Sequence, residues 1–133
     1  MDLIVNIDVA DIEQAIAFYT DALGLRLARR LFGGSVAELH GATSIIQLLL
    51  KESGSSPAVS SRSRRHYTRH WTPVHLDFAV GDISSAVERA VRVGATIEGA
   101  VQTHQWGYLA TMSDPFGNGF CLIQFLGRGY DDV

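Results

Sequence analysis

Disulfides are excluded first. Cys121 is the chain's one cysteine, so no internal bridge can staple the fold, and a reduced thiol in a cytoplasmic protein is expected. An excess of positive charge is missing as well. Eleven Lys and Arg stand against fourteen Asp and Glu, a formal net charge of −3, which offers no basic field for nucleic acid. No apolar run approaches the roughly 20 residues of a membrane-spanning helix, so no membrane partner is expected. The opening "MDLIVNID" carries neither a basic stretch nor a small-residue cleavage site, and no signal peptide is expected. What is present is 47% hydrophobic and 19% charged residues over 133 positions, the makeup of one ordered globular domain. A chain of this size buries roughly two thirds of its unfolded surface, enough for a core without staples.

Two stretches share one pattern. "IVNIDVADIEQAIAFY", Ile4 to Tyr19, and "VHLDFAVGDISSAVERAV", Val74 to Val91, align when Asp11 is set on Asp82. Each is an alternating apolar strand, then an Asp, then Ile, then an Ala-rich helix. In the first copy the strand is Leu3–Val9. Asp11 is the expected N-cap, with Gln14 at capping-box spacing. Ile12, Ala15, Ile16, Tyr19, Ala22 and Leu23 repeat at helical spacing. Gly24 ends the helix. Leu25–Phe32, Ser35–Leu39 and Ser44–Leu50 read as strands separated by Gly33-Gly34 and Gly41. In the second copy Pro73–Val80 is a strand and Asp82 caps a helix. Its apolar stripe is Ile83, Ala86, Val87, Ala90 and Val91, and Gly94 ends it. Ala95–Glu98, Val101–Gln105, Tyr108–Met112 and Phe120–Leu126 supply the strands, and "SDPFGNG" is a dense turn.

Between the copies, Lys51 to His70 breaks the pattern. Ser-rich, with Arg62, Arg64, Arg65 and Arg69, it reads as a solvated connector. The sharper alternative is an anion clamp or a contact with a second subunit. The tail "GRGYDDV" is polar and expected to be loosely held. The organisation is one domain over 1–133: module one at 1–52, a connector at 53–70 and module two at 71–128. Each helix covers one sheet face, and the other face needs a partner, for which the other module is the natural choice.

Strand alternation sorts the first strands into faces. Val74, Leu76, Phe78 and Val80 are apolar and turn to the helix. His75, Asp77 and Ala79 then face away, as do Ile4, Asn6 and Asp8 in the first copy. A space lined by Asn6, Asp8, His75 and Asp77 is a binding-site candidate.

Two modules of this order, carrying "VNIDVADIEQAIAFYTDALGL", "VHLDFAVGDISSA" and "SDPFGNGFCLIQF", resemble the vicinal oxygen chelate superfamily. That group holds glyoxalase I, extradiol dioxygenases, fosfomycin resistance enzymes and the bleomycin resistance protein. The resemblance covers nearly the whole chain. It implies an α+β fold of two tandem βαβββ modules, whose strands form a curved, cleft-enclosing mixed sheet with the helices outside. It also implies a homodimer. In metal-using members a divalent ion is held by residues on the first and last strand of each module. Carried over by position, these are Ile4, which cannot ligate, Gln47, His75 and Cys121, the last standing where a Glu is common. A thiolate with one imidazole suits zinc or copper better than iron or magnesium. With Ile4 removing a ligand, the set is incomplete and a tight metal site is not expected.

Each candidate also has a plainer role. His75 with Asp77 reads as a pocket pair able to move protons near neutral pH. Cys121 reads first as a small buried apolar residue. Gln47, an amide among apolar neighbours, needs a partner, because burying it bare costs roughly 1–3 kcal/mol. Glu38 and His40 share strand parity and are held as weaker candidates. Trp106 and Tyr108 offer a flat wall for a planar ligand, although aromatics more often serve the core.

Three functions follow. The leading one is a small-molecule-binding protein of the bleomycin-resistance type, with a degenerate metal site and no cofactor. Ligand contacts are expected from Asn6, Asp8, Gln47, Trp106, Tyr108 and Cys121. The second is a metal-dependent lyase or dioxygenase using His75 and Gln47, with Cys121 as a further ligand. The third is a metal-free acid–base enzyme using His75 and Asp77.

Overall fold

A computed structural model describes residues 1–133, Asp132 by its backbone alone. The elements are β1 (Ile4–Val9), α1 (Ile12–Leu23), β2 (Arg26–Leu31), β3 (Val36–His40) and β4 (Ile45–Leu50), then β5 (Leu76–Ala79), α2 (Ile83–Arg92), β6 (Thr96–Ile97), β7 (Gln102–His104), β8 (Gly107–Ser113) and β9 (Gly119–Phe125). The chain divides into two compact units, Met1–Thr68 and Arg69–Val133. Each is α+β, one helix on one mixed sheet, in the order βαβββ.

In the first unit the strand order is β1-β4-β3-β2. β1 runs parallel to β4, and the other pairs are antiparallel. α1 is set by its ends. Asp11 Oδ1 accepts from the Gln14 N–H at 2.9 Å, and Gly24 closes the helix in the left-handed region at φ 68°. Ala15, Phe18, Tyr19 and Ala22 are its buried face. Phe18 thus belongs to the stripe, three residues on from Ala15 and four before Ala22. On the sheet, Ile7, Val9, Ala37, Leu39, Ile46 and Leu48 are buried. Burying one such leucine is worth roughly 1.5–3 kcal/mol. β2 is the outer strand of its sheet, and its exposed Arg26, Arg29 and Arg30 discourage edge-to-edge pairing.

The second unit orders its strands β5-β9-β8-β6, with β7 also paired to β8. β6 and β7 together fill one strand position, broken at Gly99, whose φ is 105°. Asp82 Oδ1 accepts from the Ser85 N–H at 3.0 Å, and this bond holds the Asp82 carboxyl below its usual range. Ile83, Ala86 and Ala90 are buried with Ala110, Met112, Phe120 and Leu122. Val91, expected on the apolar stripe, is 44% exposed instead. It stands one residue past Ala90, turned about 100° from the buried face.

β5 is also shorter than the expected Pro73–Val80. The chain first meets β9's lead-in at His70, whose N–H donates to Gly117 O at 2.9 Å and whose carbonyl accepts from Gly119 N at 2.9 Å. It re-enters the ladder at Leu76, opposite Phe120. Residues 71–75 loop out between, and Trp71 lies on Gly119. A Cβ at Gly119 would come within 2.5 Å of that ring, so only glycine fits there.

The connector folds back on its own unit rather than running free. Gly54 N donates to Arg65 O at 2.7 Å and Arg65 N to Ser55 O at 2.8 Å. The Arg65 guanidinium reaches Asp8 at 2.6 Å, its side chain 15% exposed. Tyr67 Oη donates to the Lys51 carbonyl. The solvated-connector expectation holds for exposed Arg62 and Arg64 and fails for Arg65, because Asp8 offers it a carboxylate. The tail forms a turn, Gly129–Asp132, with the Tyr130 ring against Phe125. Among the described residues no helix is long and apolar enough to cross a membrane.

Candidate functional site

Register places one polar row across the helix-free face of each sheet. Residues directly opposite on paired strands point to the same face. In the first unit the row is Asn6, Gln47, Glu38 and Arg29. In the second it is Asp77, Cys121 and Thr111, extended to Glu98, whose N–H donates to Thr111 O at 2.8 Å. The repeat that sets Asp11 on Asp82 also sets Asn6 on Asp77, so the rows are equivalent positions.

The first row is satisfied within itself. Glu38 is 4% exposed. Arg29 Nη2 donates to Oε2 at 3.1 Å, His40 Nε2 meets Oε1 at 2.9 Å, and Gln47 Nε2 donates to Oε2 at 3.5 Å. Arg29 first, then His40, hold the Glu38 carboxyl below its usual range against the opposing pull of burial. Gln47 thereby has its partner. Asn6 is exposed beside it, and Asp8 is engaged by Arg65.

The second row is paired except at one carboxylate oxygen, Glu98 Oε1. His75 Nε2 lies 3.4 Å from Asp77 Oδ1, both side chains nearly half exposed, and the buried Cys121 thiol completes a group whose ligand atoms lie within 4.8 Å of one another. Burial, then the Asp77 charge and a hydrogen bond to it, push the Cys121 thiol up to about 12. It is a neutral thiol near pH 7, not a nucleophilic thiolate. Trp71 stands edge-on to His75, ring centres 5.4 Å apart, and its indole N–H donates to Glu98 Oε2 at 3.0 Å. Arg69 pairs with that same oxygen. Glu98 Oε1 is buried and accepts no hydrogen bond among the described residues. Leaving a buried acceptor bare costs roughly 1–3 kcal/mol.

One imidazole, one carboxylate and one thiol suit a zinc-like ion in donor type, and a hard cation such as magnesium poorly. Binding it would require the thiol to give up its proton. The donor drawn into this set is Asp77; Gln47 lies in the other unit.

The aromatic candidates lie elsewhere. Trp106, between β7 and β8, stacks on His104 with centres 4.8 Å apart and tilts against Tyr130 at 5.2 Å. Tyr108 pairs with Gln124, whose Oε1 accepts from the Ile83 N–H of α2. Tyr108 therefore shares the helix-covered face, opposite Cys121. Trp71, Thr111 and Glu98 enter the site unheralded, and Arg69, expected in the connector as solvated or as an anion clamp, instead pairs with a carboxylate. The signal for Glu98 was β6 parity, hidden because only two residues of that strand precede it.

The family model of the glyoxalase-like domain matches residues 4–123, and the chain belongs to that family. An uncharacterized protein of Mycobacterium tuberculosis is 28% identical over 118 residues, 87% of this chain and 69% of that protein. A glyoxalase/bleomycin resistance protein/dioxygenase family enzyme from Burkholderia phytofirmans superposes with TM-score 0.72 at 22% identity, over 95% of this chain and all of that one. A glyoxalase family protein from Bacillus cereus gives 0.71 at 24% identity, over 96% and 94%. TioX from Micromonospora gives 0.70 at 20%, over 95% and 99%. At these identities the likeness concerns the fold alone.

Proposed function

We propose that the protein binds a small organic molecule on the helix-free face of its second sheet. The observation that carries this reading is the convergence of His75, Asp77 and Cys121 within 4.8 Å, on the face α2 leaves uncovered. The same row holds a buried acceptor, Glu98 Oε1, that no hydrogen bond among the described residues satisfies, whereas the Glu38 carboxylate of the first row has a partner on each oxygen. The imidazole–carboxylate pair could also move a proton to or from the bound molecule. With this reading go two inferences, from family resemblance and the single cysteine: a homodimer and a cytoplasmic location.

The same spacing favours a second reading, a zinc-like ion held by His75, Asp77 and Cys121. Such an ion would supply Lewis-acid polarisation of a substrate oxygen. Elemental analysis after equilibration with zinc and desalting separates the two, run on wild type and His75→Ala. Near-stoichiometric zinc lost in the variant would put the metal reading first. Background metal in both would sink it and leave the metal-free site. A fragment screen read by backbone amide shifts then tests the leading reading. Binders should move Asp77, Cys121 and Thr111, and binders that leave all three unmoved would refute it.

A further inference from the structure

We infer that the ligand of this face presents a hydrogen-bond donor, an ammonium or amidinium group, to the carboxylate of Glu98. The inference rests on the reading of the second sheet's helix-free face as the ligand site.

The carboxylate is loaded unevenly. An ionised carboxylate has about four lone-pair positions over its two oxygens. Here Arg69 and Trp71 both donate to Oε2, while Oε1 receives nothing among the described residues. The glutamate is aimed at the face by two independent contacts. Its backbone is tied to Thr111 by the N–H bond at 2.8 Å and by Thr111 Oγ1 donating to Glu98 O at 3.0 Å. Its head is tied to Trp71, whose ring lies over Gly119 on the Cys121 side of the sheet.

Oε1 itself is buried, so a ligand reaches the carboxylate only where the rest of the side chain is exposed and the head turns. The Glu98 side chain is 20% exposed, and Arg69, which holds it, is 54% exposed. The last torsion of a glutamate is broad and two-fold, so the carboxylate can turn and share its donors between both oxygens. A third donor then completes the set that two donors now leave lopsided.

The sign of the ligand follows from its neighbours. Asp77 and Glu98 place two carboxylates on this face. Arg69 is the guanidinium that answers them, and it is already committed to Glu98. An anion would meet two like charges, whereas an ammonium or amidinium meets an unused acceptor with a second carboxylate along the row.

Three probes of one shape test this: benzylamine, benzamidine and benzoate, titrated into ¹⁵N-labelled protein. The chain has two tryptophans, so the Trp71 indole N–H reports the site and that of Trp106 serves as the control. Benzylamine and benzamidine should shift Trp71, Thr111 and Glu98 saturably, and benzoate should not. Glu98→Gln should weaken the amines about tenfold or more. Its amide oxygen can keep Trp71 and Arg69 while its NH₂ turns outward, so this variant should gain benzoate. An unmoved Trp106 signal and an unchanged melting temperature would confirm that it folds. Benzoate binding wild type as well as the amines, or Glu98→Gln leaving the amines unaffected, would overturn the donor inference. A set of uncharged fragments on the same samples separates the two failures. Shifts at Asp77 and Cys121 from these, with none from the amines, would sink only the donor inference. Silence from every probe would sink the site as well.

Discussion

Asn6, Gln47, Glu38 and Arg29 in module one, and Asp77, Cys121, Thr111 and Glu98 in module two, occupy equivalent places on equivalent sheets. The backbone that carries them is nearly the same: a capped helix, a parallel pair of strands and an antiparallel continuation. Their chemistry is not. In module one the buried carboxylate collects an arginine, a histidine and an amide. In module two the arginine and the indole crowd one oxygen of Glu98, and the histidine stands at the other end of the row with Asp77 and a neutral thiol. One copy of a duplicated sheet closes its polar groups on one another. The other pairs its groups as well but leaves one buried acceptor, Glu98 Oε1, without a hydrogen bond among the described residues.

If the modules are alike beneath that face, their cores should answer alike. Leu48 and Leu122 both lie fully buried on strands that pair with the first strand of their module. Truncating either to alanine should cost about 3 kcal/mol in denaturant unfolding. A loss in one and little in the other would show that the likeness is only topological. The helix caps make the same comparison at smaller scale. Asp11→Ala and Asp82→Ala should each cost about 1 kcal/mol, since each removes one side-chain acceptor from the first turn.

The rows themselves should then differ with pH. Glu38 has a folded-state pKa below its unfolded value. It therefore contributes stability that is present above the ordinary carboxylate range and lost as pH falls through the lowered value. Glu38→Gln should flatten that part of the acid limb of the stability profile, and an unchanged limb would remove Glu38 from the account. In module two the contrast is reactivity. Cys121 should resist iodoacetamide at pH 8 in the folded protein. Asp77→Asn removes a charge and an acceptor that both raise its pKa, so alkylation should quicken. Equal rates would mean that burial alone protects the thiol.

Much of this was legible in the sequence because it is carried by short-range pattern. Asp11 and Asp82 stand before apolar-periodic runs, Gly24 follows one, and alternation put Asn6, Asp8, His75 and Asp77 on the face away from the helices. Lateral relations were harder to read. Which residue stands opposite Gln47 or Cys121 depends on register. Glu98 and Trp71 depend on it most, one beyond a two-residue strand and the other in a loop that leaves the ladder. Phe18 was missed because the helical stripe was drawn through Ile16, one residue position to the side. Arg65 looked like solvated linker because its partner, Asp8, lies 57 residues away.

The measurement that bears most directly on the contrast is an amide-shift map of both rows under one titration with benzylamine. Movement centred on Asp77, Cys121, Thr111 and Glu98, with Asn6, Gln47, Glu38 and Arg29 still, is the predicted result. Movement centred on the first row, with the second still, would contradict the assignment of the ligand face to module two.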